Sequence, residues 1–397
     1  MSQDWNQFVE GELSRLESLD RRRALRRIFA RESPLVEFRG RRLVNFSSND
    51  YLGLSQHAAV TEGATRAIAR AGASASSSRL ICGNSDLHEE LEAALADLKG
   101  KEAALTFASG FSANLGLLSS LVGPGDHIFS DALNHGSIVD GCRLSRAASV
   151  VFRHNDLDHL EELLKDCSGP GRRLVVSDSV FSMEGDLADL PGLVSLCRRY
   201  DCRLMLDEAH ATGVLGSRGG GLVEHFQDGG KARPEEIELL MGTLSKALGS
   251  FGGFVACSAS MRDYLINRCR PFIFATALPP AVLGAALAGL ELIRPPSKVR
   301  ENLRSNMQRM RSRLARHGLG CSQGRTSIFP VLLGSEERAL QVSQRLLDRG
   351  FLVAAIRPPS VPPGTSRLRI TVTASHSEAQ IDELVGSLTE IGCQAGS

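Results

Sequence analysis

Lys246 stands in Met241-Gly242-Thr243-Leu244-Ser245-Lys246-Ala247-Leu248-Gly249, directly after the apolar run Ile237 to Met241. A lysine among small hydroxyl and glycine residues at the end of a buried strand has little packing value. Desolvation disfavours its ammonium form, and an amine with a lowered pKa attacks carbonyls to form Schiff bases. Taken alone, the residue reads more simply as a surface lysine in a turn. Three other groups reverse that balance. Asp207 closes Leu204-Met205-Leu206-Asp207, 39 residues earlier (246 minus 207), and opens Asp207-Glu208-Ala209-His210. A buried carboxylate needs a cation or hydrogen-bond donors, and a protonated ring nitrogen is such a cation; an N-cap is the plainer alternative. Phe107-Ala108-Ser109-Gly110-Phe111 passes from strand end to glycine turn to helix start. Free backbone N–H groups there hold phosphate without a basic side chain, although an ordinary strand-to-helix turn has the same pattern. His135, in Asp131-Ala132-Leu133-Asn134-His135-Gly136-Ser137, follows another strand. It is placed to stack on an aromatic ring or to move a proton near neutral pH, where a lone histidine is more often structural.

A nucleophilic lysine, a ring-nitrogen carboxylate, a ring-stacking histidine and a phosphate-binding turn together describe a pyridoxal 5′-phosphate site. Other chemistries are missing. No Gly-x-Gly-x-x-Gly turn follows a strand, no phosphate-binding P-loop occurs, and no histidine pair at helical spacing suggests a metal. With 46 basic against 45 acidic residues the net charge is +1, which excludes a global field for nucleic acid or an anionic membrane. Nine scattered cysteines without a Cys-x-x-Cys pair, no secretory leader and no apolar run of membrane-spanning length predict a cytoplasmic protein.

The positioning elements are legible as periodicity. Short apolar runs alternate with helical patterns between residues 46 and 290, the habit of an α/β domain with a mostly parallel sheet. The predicted strands are Ala103 to Phe107, His127 to Ser130, Ser149 to Phe152, Arg173 to Ser177, Arg203 to Leu206, Ile237 to Met241 and Gly253 to Cys257. Asp178, Asp207 and Lys246 each lie just past such a strand, at the edge where open α/β sheets bind ligands. The last two strands are too close in sequence for a crossover helix, so one should be antiparallel. Three parts are expected: an N-terminal helix and arm (1–45), a large domain (46–290) and a small α+β domain (291–397). Trp5, Phe8, Val9, Leu13, Leu16 and Leu19 predict an amphipathic helix packed on the body. It precedes the arginine cluster Arg21, Arg22, Arg23, Arg26, Arg27 and Arg31. Lys298 to Arg316 reads as a basic helix with a solvated face rather than a docking surface for an acidic carrier.

Beyond these residues, the chain resembles the α-oxoamine synthase family of fold-type I, aspartate aminotransferase-like pyridoxal-phosphate enzymes over residues 10–392. The matching segments are 45–53 (Asn45-Phe46-Ser47-Ser48-Asn49-Asp50-Tyr51-Leu52-Gly53), Ser109-Gly110-Phe111, Asn134-His135-Gly136-Ser137, Phe181-Ser182-Met183-Glu184-Gly185-Asp186, Asp207-Glu208-Ala209-His210 and Gly242-Thr243-Leu244-Ser245-Lys246. The resemblance implies that Lys246 holds the cofactor, Asp207 meets its ring nitrogen, His135 stacks on the ring and His210 approaches its phenolic oxygen. It implies cofactor contacts from Gly110, Phe111, Ser182 and Thr243. Thr276 would reach the phosphate from the second subunit of a homodimer with shared active sites. Arg369 would bind an amino-acid carboxylate, and Arg26, Asn49, His135 and Ser360 would contact substrates. The double-proline segment Ala355-Ile356-Arg357-Pro358-Pro359-Ser360-Val361-Pro362-Pro363-Gly364-Thr365-Ser366-Arg367-Leu368-Arg369 resembles the branch whose members condense L-alanine with a pimeloyl thioester carried on acyl carrier protein (pimeloyl-ACP) or on CoA (pimeloyl-CoA). Its alternatives are a sister synthase using glycine and acetyl-CoA, and a non-catalytic partner subunit; a serine palmitoyltransferase fits less well. Serine at 360, where threonine is frequent, and the serine-rich stretch Ser74 to Ser78 depart from the family pattern.

Overall fold

Apolar runs rich in β-branched residues and closed by a polar one fold as strands, because such residues pack well on a pleated surface. In chain order the strands are β1 (Ile28–Ala30), β2 (Leu35–Phe38), β3 (Arg41–Asn45), β4 (Ala103–Phe107), β5 (His127–Asp131), β6 (Ala148–Phe152), β7 (Arg173–Asp178), β8 (Arg203–Asp207), β9 (Leu239–Thr243), β10 (Gly253–Cys257), β11 (Ile328–Gly334), β12 (Phe351–Leu352), β13 (Ala354–Ile356) and β14 (Ser366–Thr371). The computed structural model describes residues 4–30, 32–227, 229–319 and 325–393; Arg31 and Cys321 lie outside them. Two units are present. One holds Asp50–Ser182 and Asp186–Glu301; the other gathers the N-terminal segment through Asn49, the tip Met183–Gly185 and the stretch from Asn302 onward. The N-terminal segment thus groups with the C-terminal stretch, and helix Pro280–Ile293 and the following turn stay in the larger unit.

The larger unit is built on a seven-stranded sheet ordered β4-β10-β9-β8-β7-β5-β6. All strands run one way except β10, which pairs antiparallel with both β9 and β4, as the short connection before it demands. β9 begins two residues later than its apolar run. Ile237 N–H closes a turn on the Pro234 carbonyl, and ladder pairing starts with Glu238 N–H on Leu204 O at 2.8 Å. Leu105, Phe107, Ile128, Met205, Met241 and Val255 from the strands meet Ala113, Leu117 and Leu118 of helix Gly110–Leu121 in one buried cluster. Each large side chain there contributes roughly 1.5–3 kcal/mol, so the sheet is a rigid base for the residues beyond its strand ends. Helices Ala58–Ala71 and Pro280–Ile293 cross where both lack a side chain: a Cβ on Gly63 would lie 2.7 Å from Gly284 O, and one on Gly284 would lie 2.4 Å from Gly63 O.

In the smaller unit, β1, β2, β3 and β12 form one sheet and β11, β14 and β13 an antiparallel second. Val36, Leu43, Leu347 and Leu352 form a core beneath the first. Leu303, Met307, Met310 and Leu314 are the buried stripe of helix Lys298–Arg316, while Arg309 Nη2 pairs with Asp382 at 2.6 Å and Arg313 joins the same carboxylate. The N-terminal helix forms over Trp5–Ser18, capped by Asp4, but the expectation that it packs on the body is not met: none of its residues is buried, and Trp5 is 79% exposed. Trp5 meets Phe8 of the same helix with ring centroids 6.1 Å apart, and periodicity alone does not say what an apolar face meets. Among the described residues no helix is long and apolar enough to cross a membrane.

Candidate active site

Strand order does what sequence distance conceals. β9, β8, β7 and β5 are consecutive neighbours, so the segments that follow them emerge side by side at one sheet edge, about 4.8 Å apart. Asp178 and Asp207 are register partners at the ends of β7 and β8. Past β9, Lys246 Nζ lies 2.9 Å from His210 Nε2, and the other ring nitrogen of His210 lies 2.6 Å from the Tyr51 hydroxyl. Lys246 is half-buried and His210 buried.

The Asp207 carboxylate is buried and accepts from Asn114 Nδ2 at 2.7 Å and from Ala209 N–H at 2.8 Å, both neutral donors. Asn114 also donates to Ser137 Oγ at 2.9 Å, and Ser137 Oγ lies 2.7 Å from His135 Nδ1. Because Ser137 N–H also donates to Nδ1 at 3.2 Å, that nitrogen is an acceptor, and the proton of neutral His135 belongs on Nε2. His135 N–H in turn donates to Asp178 Oδ2 at 2.8 Å. Loss of solvation lowers the His135 pKa, Asp207 opposes this and Lys246 reinforces it. Burial pushes the Asp178 carboxyl well above its usual range, and the charge of Asp207 adds to the rise.

The strand-to-helix turn expected to hold phosphate is a capped helix start. Ser109 caps helix Gly110–Leu121 through Ser112 N–H at 3.0 Å, which leaves the Gly110 and Phe111 N–H groups without partners inside the helix. β10 passes so close that a Cβ on Gly253 would sit 2.6 Å from the Ser109 carbonyl carbon, and one on Gly110 would sit 3.0 Å from Met241 Cε. Thr243 Oγ1 donates to Gly252 O at 2.8 Å and lies 2.7 Å from Ser245 Oγ. Ser182 is half-buried in the turn after β7. Thr276 is exposed and bridges to Ser78.

In the smaller unit, buried Arg369 donates to Asn49 Oδ1 at 3.0 Å, bringing two of the predicted substrate residues together. Ser360 is exposed and accepts from Arg23 Nη2 at 3.4 Å. Arg26 is exposed along a cleft of about 1120 Å³ whose lining carries six arginines (22, 23, 26, 27, 39 and 357) against Glu17, Asp20 and Glu37. Tyr51, Asn114 and Ser137 received no role from the sequence reading. Each has a partner at least 23 residues away, which local sequence does not reveal.

These residues fit pyridoxal 5′-phosphate. A buried carboxylate with only neutral donors suits a ring-nitrogen cation, a half-buried amine lies just past the neighbouring strand, and a glycine-lined helix start suits the phosphate. The aminotransferase class I and II family model matches residues 41–388. The 8-amino-7-oxononanoate synthase of Geobacter sulfurreducens is 47% identical over 390 residues, 98% of each chain. That of Lysinibacillus sphaericus is 43% identical over 391 residues, covering 98% of this chain and 99% of its own. Among solved structures, a serine palmitoyltransferase from S. paucimobilis with a bound PLP-myriocin aldimine superposes with a TM-score of 0.92 at 30% identity, covering 98% of each chain. An 8-amino-7-oxononanoate synthase from Francisella tularensis gives 0.76 at 26% identity, covering 88% of this chain and 97% of the other. The chain belongs to the aminotransferase class I and II family and, within it, to the α-oxoamine synthases, enzymes that work with pyridoxal phosphate.

Proposed function

We propose that this chain condenses L-alanine with a pimeloyl thioester, releasing carbon dioxide and the thiol and giving 8-amino-7-oxononanoate for biotin synthesis. The observation that carries the proposal is full-length identity of 43–47% to synthases of that name, on a chain that retains Lys246, Asp207, His135 and His210 in one site. The cofactor, when bound, supplies an electron sink that stabilises negative charge at the alanine Cα. Lys246 anchors it and, as a free amine, takes the Cα proton; His210, 2.9 Å from Nζ, is placed to keep the amine oriented. Asp207 holds positive charge at the ring nitrogen, and Asn114 fixes its carboxylate. His135 would lie against the ring, and its Nε2 proton would be available to the thioester oxygen as charge develops there. Gly110, Phe111, Ser182 and Thr243 receive the cofactor's polar groups. Arg369, oriented by Asn49, takes the amino-acid carboxylate.

The arginine-lined cleft beside Arg26 and Ser360 supports an anionic carrier for the pimeloyl group. A homodimer is supported by the exposed apolar side chains of Phe111, Phe251 and Phe274, near Gly110, Lys246 and Thr276 in sequence. A cytoplasmic setting is supported by the free thiols of the described cysteines. Product analysis tests the reaction: alanine, glycine and serine are each paired with pimeloyl, acetyl and palmitoyl thioesters, the pimeloyl group on CoA and on acyl carrier protein. Alanine with a pimeloyl thioester should dominate. A preference for glycine with acetyl-CoA would replace this reading with that of a sister synthase.

A further inference from the structure

His154 follows β6 and takes no part in the site described above, yet both of its ring nitrogens meet carboxylates. Nδ1 lies 3.0 Å from Asp131 Oδ1 and Nε2 lies 2.9 Å from Asp186 Oδ2. A neutral imidazole has one N–H and can donate to one of them; two carboxylates require the imidazolium. Burial alone would lower the pKa of His154, but the hydrogen bonds and charges of Asp131 and Asp186 outweigh it and raise the value to about 10. The edge of the ring packs on Phe181, with centroids 4.3 Å apart and planes at 83°.

Each carboxylate belongs to a segment that carries a cofactor-site residue. Asp131 ends β5, its side chain is 1% exposed, and it accepts Leu133 N–H at 2.8 Å and Asn155 N–H at 2.9 Å. It therefore sets the start of the turn that delivers Asn134 and His135. Asp186 closes the turn that contains Ser182: its carbonyl accepts Phe181 N–H at 3.1 Å, and Val180 and Leu187 bridge behind it. Asn155 repeats the link, donating through Nδ2 to Asp186 Oδ2 at 3.2 Å and to Leu187 O at 3.0 Å.

We propose that His154 is a positioning residue for the cofactor site, its imidazolium clamping the turn that carries His135 to the turn that carries Ser182. Without that charge two carboxylates would face each other across the gap, and the turns would be held by Asn155 and by His135 N–H on Asp178. The inference rests on pyridoxal phosphate binding and not on the choice of acyl substrate.

The test compares His154→Gln, which removes the charge, with His154→Arg, whose planar guanidinium can bond two carboxylates. Visible circular dichroism per bound cofactor reports how the ring is held and needs no substrate. Expected for His154→Gln is a loss of about half of that signal, with kcat lower by about ten-fold or more and KM for alanine within about two-fold, because small displacements of positioning groups act on turnover. His154→Arg should recover much of both. The inference is overturned if His154→Gln keeps wild-type dichroism and kcat, or if His154→Arg is as defective as His154→Gln. Should His154→Gln fail to fold, Asp186→Asn, which weakens only the Ser182 side, is read the same way, and unchanged dichroism there also overturns it. Absent turnover of alanine and pimeloyl thioester by the wild-type chain would refute the proposed function while the dichroism still judges His154.

Discussion

In the proposed reaction, Lys246 is the residue on which the chemistry turns. Lys246→Ala should abolish turnover and remove the visible absorbance of covalently held cofactor, and retention of both would refute its assigned role. Tyr51 offers a finer test, because its hydroxyl lies 2.6 Å from the histidine that contacts the lysine amine. Tyr51→Phe keeps the buried ring and deletes one hydrogen bond, a change of about 1–2 kcal/mol. We therefore expect kcat to fall about ten-fold with the cofactor still bound, measured by steady-state kinetics and cofactor titration; unchanged kcat would remove His210 orientation from the mechanism. Local sequence pointed to Lys246, Asp207 and His135 because each is a polar residue just past an apolar run. It was silent on Tyr51 and Asn114, whose partners are set by long-range packing.

At the scale of elements, the turn after β8 is held from below by a buried ion pair. Lys99, at the end of helix Asp86–Lys99, pairs with Glu208, and both side chains are fully buried. Lys99 Nζ also donates to Thr212 Oγ1 at 2.8 Å and to Gly220 O at 2.6 Å, while Glu208 accepts Leu222 N–H at 2.7 Å. Removing one partner strands the other charge, which costs about 3–5 kcal/mol. Lys99→Met should lower the unfolding free energy by that order in a denaturant titration, and should weaken cofactor binding because Glu208 adjoins Asp207. A variant as stable as the wild type would mean that Glu208 finds another partner. The pair is invisible in sequence, where 109 residues separate its members and each reads as an ordinary surface charge.

For the whole molecule, two buried histidines contribute to a loss of stability in acid. His88 in the larger unit and His376 in the smaller one are both pushed down to about 4 by burial. Each uses Nδ1 to accept a backbone N–H, from Ser85 and from Thr373, and leaves Nε2 buried without a partner. Their folded pKa lies below the unfolded value near 6.5, so the unfolded chain binds protons first and stability falls as pH drops from about 6.5 to about 4. The loss reaches on the order of 3 kcal/mol for each histidine at the acid end. Denaturant titrations between pH 7 and pH 4.5 should show this slope, and His376→Gln should flatten it; a slope unchanged in that variant would assign the acid sensitivity elsewhere. The proposed homodimer predicts a sedimenting mass near 85 kDa, twice the 42.7 kDa of the chain. A monomer with full activity would exclude a role for Thr276 across subunits.

The sequence by itself determined the strands of the main sheet and the chemical types, while β1, β2, β3, β12 and β13 were not predicted from it. All seven strands of the main sheet, the antiparallel β10 and the identities of the lysine, carboxylate and histidine are local facts of periodicity and spacing. Only tertiary structure decided which side chains meet. The order β9-β8-β7-β5 places Lys246, Asp207, Asp178 and His135 at or just past the ends of adjacent strands although they are spread over more than a hundred residues. The same limit explains the N-terminal helix, whose apolar stripe predicted packing that the chain does not supply. Periodicity records that a face is apolar or polar, whereas its partner is set by how distant segments are brought together in space.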